Sequence, residues 1–202
     1  MNQGLMIVVS GPAGSGKGTV NALLLSRDDF VYSVSATTRA PRPGEVDGIN
    51  YHFLSHEEFR RRIDQDEMLE YTEYCGNFYG TPRKEAEAVL ASGKNLLLEI
   101  EVEGALNVKR QYPEAVLIML LAPSYTVQEQ RLRGRGTESE EKILERLERT
   151  KEELLTLPSY DYLVYNYDGG VEQSAEQIRA IVLAEKAAVS RHPAAAVQYF
   201  EV

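Results

Sequence analysis

The chain has 202 residues, of which 43% are hydrophobic and 26% charged, and its formal net charge is -9. That length suits one sizeable core with smaller insertions, and the acidic balance disfavours a general binder of nucleic acid or anionic membranes, both of which need excess positive charge. The lone Cys75 excludes an intrachain disulfide, Cys and His show no metal-ligand spacing, and there is no long apolar run or signal-peptide pattern, so the expected compartment is the cytoplasm.

The first predicted element is a buried strand, Leu5 to Val9, followed by Ser10-Gly11-Pro12-Ala13-Gly14-Ser15-Gly16-Lys17-Gly18-Thr19 and a helix from Val20 to Ser26. Glycines at a strand-to-helix turn let backbone N–H groups converge on phosphate oxygens. The helix adds its positive end and Lys17 an ammonium. Gly18 stands where a Ser or Thr hydroxyl normally ligates magnesium, and the hydroxyl comes one place later, on Thr19. Residues 31–36 alternate like a strand, and residues 37–44 are too rich in Pro and Gly for regular structure. A short strand at 51–54, a helix at 55–66 with a Ser55/Glu58 capping box, and a strand at 69–74 complete a mixed α/β insertion.

The core pattern then resumes. A helix spans 82–92, an apolar strand 95–101 ends in Glu99 and Glu101, a crossover helix covers 102–112, and a buried strand covers 115–121. Strands separated by helices imply right-handed βαβ units and a parallel sheet flanked by helices. Two helices follow, one capped by Ser124 and running to Arg133, the other opened by a Thr137/Glu140 capping box and ending by Leu157. A last strand, 160–166, and a closing helix, 171–190, bring the chain to a tail without clear pattern.

Three groups of charged residues carry chemistry. Arg39 and Arg42 flank Pro41 in a stiffened stretch and suit a phosphate dianion, although taken alone they also read as solvated surface arginines. Glu99 and Glu101, two apart on a strand, are expected to share a face where parallel sheets open onto their ligands. Lys142, Arg146 and Arg149 share one helix face, with Ile143, Leu147 and Leu154 on another, although such a basic stripe also reads as a solvated face paired with Glu145, Glu148, Glu152 and Glu153. His52, His56 and His192 show no ligand spacing and read as structural or exposed.

The run Thr37-Thr38-Arg39-x-Pro41-Arg42-x-Gly44-Glu45-x-x-Gly48-x-x-Tyr51-x-Phe53, with Gly76-Asn77-Phe78-Tyr79-Gly80-Thr81, Glu99-Ile100-Glu101-x-x-Gly104 and Gly134-Arg135-Gly136-Thr137, resembles guanylate kinase. These motifs stand in the family's order from about Met6 to Lys186. The resemblance implies a P-loop NTPase fold in one domain: a core of residues 1–34, 84–123 and 158–190, a GMP-binding insertion of 35–83, a helical lid of 124–157 and a tail of 191–202. It places Arg39, Arg42, Tyr51 and Tyr79 on the GMP phosphate, and Ser35, Glu70 and Thr81 on the guanine edge, with Glu99 facing the same nucleotide. Guanine offers two adjacent donors, N1–H and the 2-amino group, which one carboxylate such as Glu70 can accept together.

The same resemblance assigns residues Gly11 to Thr19 and Arg131 to the ATP phosphates, and makes Lys17, Arg39, Arg135 and Arg146 catalytic through charge. Magnesium is expected near Thr19 and Glu101, through water, and Asn166 near adenine. ATP and GMP are the implied partners, in a reaction giving ADP and GDP. Two alternatives stay open: a kinase of the AMP type, because Gly-Lys-Gly-Thr also resembles adenylate kinase loops, and a non-catalytic binding module. Ala13 and the Asn166-Tyr167-Asp168 stretch depart from the family's usual residues, and the sequence leaves monomer or homo-oligomer undecided.

Overall fold

The computed structural model describes residues 4–27, 29–74, 76–134, 136, 139–195 and 199. In chain order, β1 (Met6–Ser10), α1 (Lys17–Leu25) and β2 (Phe30–Tyr32) are followed by β3 (Ala36–Thr37), β4 (His52–Phe53), α2 (His56–Asp64), β5 (Met68–Tyr74) and β6 (Asn77–Pro82). Then come α3 (Arg83–Ala91), β7 (Asn95–Glu99), α4 (Val102–Gln111), β8 (Val116–Leu121), α5 (Tyr125–Gly134), α6 (Glu140–Leu154), β9 (Tyr162–Tyr165) and α7 (Val171–Ala187).

Every pairing in the larger sheet is parallel, in the strand order β2-β7-β1-β8-β9. Parallel strands covered on both faces need apolar side chains pointing both ways, which explains the unbroken hydrophobic runs. Ile7, Val9, Leu97, Val116, Ile118 and Leu120 pack on one face against Val20 and Leu24 of α1 and Ile178 and Val182 of α7. Met6, Val8, Leu96, Leu98 and Leu117 pack on the other against Ala86 of α3 and Ala105 and Val108 of α4. Leu69 of β5 joins this second cluster, which ties the insertion to the core.

The insertion forms a second sheet, ordered β4-β3-β6-β5, with its own small core of Ala36, Phe59 and Met68 and a stacked Phe59–Phe78 pair at 5.3 Å. Two readings from the sequence change here. The run 31–36 is not one strand, because β2 ends at Tyr32 in the large sheet and β3 pairs with β4 and β6 in the small one. Local alternation shows that a segment is extended but not which neighbour it pairs with. The second change is β6, which the sequence showed only as a motif. Its Gly80 hid the strand signal, since a Cβ there would lie 2.6 Å from the Glu70 carbonyl oxygen.

One expected cap also differs. Ser55 Oγ accepts from the Glu58 N–H at 3.0 Å, while the Glu58 carboxylate turns to Arg61 and Arg62. Ser139 stands at the N-cap of α6 without a side-chain cap hydrogen bond, and Thr137, expected to open a capping box with Glu140, lies outside the described residues. Ser124 does accept from the Val127 N–H, at 3.2 Å. On α6, Ile143 and Leu147 are buried as expected, but Leu154 is exposed, and Thr150 and Glu153 take the buried face instead.

Gly11 shows how closely the phosphate loop is seated. It adopts φ +145°, and a Cβ would fall 2.2 Å from the backbone oxygen of Leu120 on β8. Gly11→Ala should therefore lower stability by about 3 kcal/mol, through strain and displacement of a central strand. Urea unfolding of the two proteins measures this, and an unchanged midpoint would mean that the loop relaxes at no cost.

Candidate active site

β1 delivers the loop of residues 10–16 at its carboxyl end, and α1 starts directly at Lys17. Gly16 precedes the helix at φ 93°, with its Cβ position 2.2 Å from Asn166 Nδ2, so only glycine fits there. The Lys17 ammonium donates to the Gly11 carbonyl and, at 3.3 Å, to that of Pro12. Gly14 and Ser15 are buried, as are Pro12 and the Ser10 hydroxyl, whereas Gly18 and Thr19 are exposed. Ala13 packs against Leu132, Ile143 and Leu147, so the apolar residue in place of a hydroxyl joins the loop to the base of α5 and α6. Gln128 strengthens that joint by donating to Ala13 O and Thr150 Oγ1, both at 2.8 Å.

On one side of the loop, a cavity of about 200 Å³ is lined by Ser35, Tyr51, Glu70, Thr72, Tyr79, Gly80, Glu99, Ile100 and Glu101. Glu70 forms its buried wall. It is 2% exposed, Thr81 Oγ1 donates to its Oε1 at 2.8 Å, and burial pushes its pKa up to about 7. Gly104 opens the space behind it, since a Cβ there would stand 3.2 Å from Glu70 Oε2. Glu99 accepts from Asn21 Nδ2 at 2.8 Å and, with burial, raises the pKa of Tyr32. Glu101 lies beyond the end of β7, at the N-cap of α4, so the shared strand face read from the sequence does not exist. Both carboxylates nevertheless line the same cavity.

At the rim, Arg39 sits over Tyr51 with its guanidinium carbon 5.5 Å from the ring centre, and Tyr51 meets Tyr79 edge-on at 6.3 Å. Arg39 Nη2 donates to both oxygens of Glu45, at 2.9 and 3.0 Å. Arg42 is exposed on the adjoining turn.

A second cleft, of about 440 Å³, lies on the other side of the loop, lined by Gly14, Gly16, Thr19, Arg131, Gly134, Asn166, Tyr167, Asp168, Gly169 and Val171. Thr19 and Glu101, paired for magnesium in the sequence reading, therefore line different clefts. Asn166, expected near adenine, lines this cleft, and its Nδ2 donates to Ser15 O at 2.9 Å, so its side-chain amide supports the phosphate loop. Arg131 links that loop to the same strand end, donating to Asn166 O at 2.8 Å and to Asp168 Oδ1 at 2.6 Å. Arg146 is half-buried on α6 outside the lining of both clefts, and Arg135 lies outside the described residues.

Several residues in this region escaped sequence reasoning. Glu153, 8% exposed on α6, has its pKa raised by burial and by Glu101, with Lys17 and Arg149 opposing. Asn21 and Gln128 act through partners far along the chain, which no local pattern reveals. Glu45 did leave a signal, since it stands in the quoted motif.

The guanylate kinase family model matches residues 3–185. The chain is 52% identical over 184 residues to the guanylate kinase of Halalkalibacterium halodurans, covering 91% of this chain and 89% of that one. It is 48% identical to the guanylate kinase of Desulfitobacterium hafniense over 95% and 96% of the two chains. The crystal structure of guanylate kinase from Anaplasma phagocytophilum superposes with a TM-score of 0.73 at 34% identity, over 92% of this chain and 88% of that one. Motif order, sheet topology and these relatives agree, and the chain belongs to the guanylate kinase family.

Proposed function

We propose that the chain transfers the γ-phosphoryl group of ATP to GMP, giving ADP and GDP. The observation that carries this reading is Glu70, a buried carboxylate held by Thr81 in the wall of a cavity of about 200 Å³ beside the phosphate loop. An acceptor of that kind matches the adjacent N1–H and 2-amino donors of guanine, and adenine presents no such pair. Ser35, Tyr51 and Tyr79 share the cavity wall, Arg39 lies over Tyr51, and the exposed Arg42 on the adjoining turn is tied to Arg39 through Glu45; the two arginines and two tyrosines would hold the monophosphate.

The accepting phosphate oxygen is already largely deprotonated at neutral pH, because the second phosphate pKa is about 6, so no general base is required. The work left to the protein is to align two anionic nucleotides and to neutralise the charge spreading over the transferred group. Lys17 and the loop amides would meet the ATP phosphates, with Arg131 bracing the loop. Arg39, Arg135 and Arg146 would supply positive charge once α5 and α6 cover the site, and the covered site keeps water from the phosphoryl group.

Among the described residues no group of three or more His, Cys, Asp or Glu side chains can hold a metal. That fits magnesium carried by nucleotide phosphates and water, with Glu101, and Glu99 beside it, as outer contacts. Magnesium would neutralise phosphate charge. Thr19 suits this role less, because it faces the other cleft. Among the described residues no helix is long and apolar enough to cross a membrane, and a cytoplasmic enzyme accords with the single cysteine.

The decisive test is an assay of GMP, AMP, CMP and UMP side by side with ATP. GMP is expected to be strongly preferred. A preference for AMP would overturn the proposal in favour of an adenylate-type kinase, and no turnover with any acceptor would favour a binding module.

A further inference from the structure

The loop between β3 and β4 folds back on itself around one carboxylate. Gly44, at φ +88°, turns the chain so that the Glu45 N–H donates to Arg42 O at 3.0 Å. The Glu45 side chain then accepts the Arg42 N–H on Oε2 at 2.7 Å, and Arg39 Nη2 on both oxygens. Nothing stands within 4 Å of a Cβ at Gly44, so the glycine answers to the turn alone. Further along, Val46 N–H donates to Asn50 Oδ1 and Phe53 N–H to Asp47 Oδ1, both at 2.8 Å, which closes the rest of the loop.

We propose that Glu45 is a positioning residue for the acceptor phosphate: it fixes the Arg39 guanidinium and the Arg42 backbone relative to each other, so that both cations meet the monophosphate together. The inference rests on the reading that Arg39 and Arg42 bind that phosphate.

Three observations set this ion pair apart from an ordinary surface pair, which contributes about 0–1 kcal/mol. Both side chains are largely covered, at 17% and 18% exposure. The guanidinium is also held by ring faces, 5.5 Å from the centre of Tyr51 and 6.0 Å from that of Phe53, and by Ala40 O at 2.7 Å from Nη1. Finally, the carboxylate accepts from backbone as well as side chain, so it joins both arginines rather than one.

The donor inventory explains how a negative group can assist binding of a dianion. Glu45 takes Nη2, Ala40 O takes one Nη1 hydrogen and the Tyr79 side chain engages another, which leaves one hydrogen of the Arg39 guanidinium for another acceptor, with the Tyr79 hydroxyl beside it. The guanidinium is thereby oriented before the nucleotide arrives, and the entropy of ordering two long side chains is lost on folding instead of on binding.

The test compares Glu45→Gln and Glu45→Asp with the unaltered protein, using GMP and guanosine in calorimetric titration and steady-state kinetics for ATP and GMP. Glu45→Gln is expected to raise the Kd and KM for GMP about tenfold, and to leave guanosine binding and the ATP KM within about twofold, because only the phosphate contacts lose their alignment. Glu45→Asp keeps the charge and should fall between, which covers the case in which the Gln variant folds poorly. An unchanged or lowered GMP KM would overturn the inference, since the carboxylate would then be idle or a competitor. Equal losses for guanosine, GMP and ATP would overturn it too, as the sign of a purely structural role. Arg39→Ala is measured in parallel. If that change leaves GMP affinity intact, the phosphate-site reading itself fails, whereas a loss in Arg39→Ala alone removes only the role given to Glu45.

Discussion

Replacing Glu70 by Gln is expected to lower kcat/KM for GMP by about 10³-fold while making the ligand-free protein more stable at pH 8. The first effect follows from donors and acceptors. A carboxylate presents two acceptor oxygens to the two guanine donors, and hydrogen bonds to a charged group contribute about 1.5–3 kcal/mol each. Gln keeps the volume but turns an NH₂ group toward one of those donors, so one bond is lost and a buried donor stands unpaired. The second effect follows from burial. The Glu70 pKa rises from 4.5 to about 7 because desolvation disfavours the charged form, although Thr81 offsets part of it.

The sign of the linkage is then fixed. A carboxyl group whose folded pKa lies above its unfolded value destabilises the folded state at high pH, by roughly 3 kcal/mol above pH 7 for a shift of this size. The penalty fades as pH falls from about 7 to about 4.5, where both states bind the proton. The Gln variant should therefore melt higher than the unaltered protein at pH 8, and the difference should vanish near pH 4.5. The same pKa predicts that the KM for GMP rises below about pH 7, approaching tenfold per unit, as the acceptor is protonated. Melting curves at several pH values and a pH profile of KM check both statements. Unaltered GMP kinetics in the Gln variant would remove Glu70 from guanine recognition.

Lys17→Met is expected to lower kcat by at least about 10³-fold while leaving GMP affinity within about twofold. Lys17 begins α1, with its ammonium against the Gly11 and Pro12 carbonyls of the loop, and Glu70 stands in the separate cavity beside it. Met preserves the length and apolar stem of the side chain, so the helix start is kept and only the positive charge is lost. That charge matters most in the transition state, when negative charge spreads over the transferred group. Single-turnover kinetics with GMP titration separates the two quantities. A parallel loss of GMP binding would show that the substitution disturbs the fold.

Much of the candidate site was legible because its residues lie in short, chemically unusual runs. Residues 10–19 announce a phosphate loop through glycines whose conformations few other residues adopt, and Gly11 and Gly16 prove to be sterically closed to a Cβ. The apolar runs around Ile7, Leu97 and Ile118 announced buried parallel strands, since strands covered on both faces cannot alternate with polar residues. Family motifs named guanine, which the physical pattern of the chain alone did not.

Tertiary structure decided what depends on partners distant in sequence. Only the folded chain separates β2 from β3, because the pairing of an extended segment is set by neighbours 42 to 65 residues away. Only the fold moves Glu101 from a strand face to a helix start, turns Asn166 toward Ser15 O, and places Thr19 in the cleft opposite Glu101. The charge state of Glu70 belongs to the same class. Its residue type was fixed by the sequence, but its raised pKa comes from packing that removes water around it, and desolvation is a property of the assembled core rather than of any local run of residues.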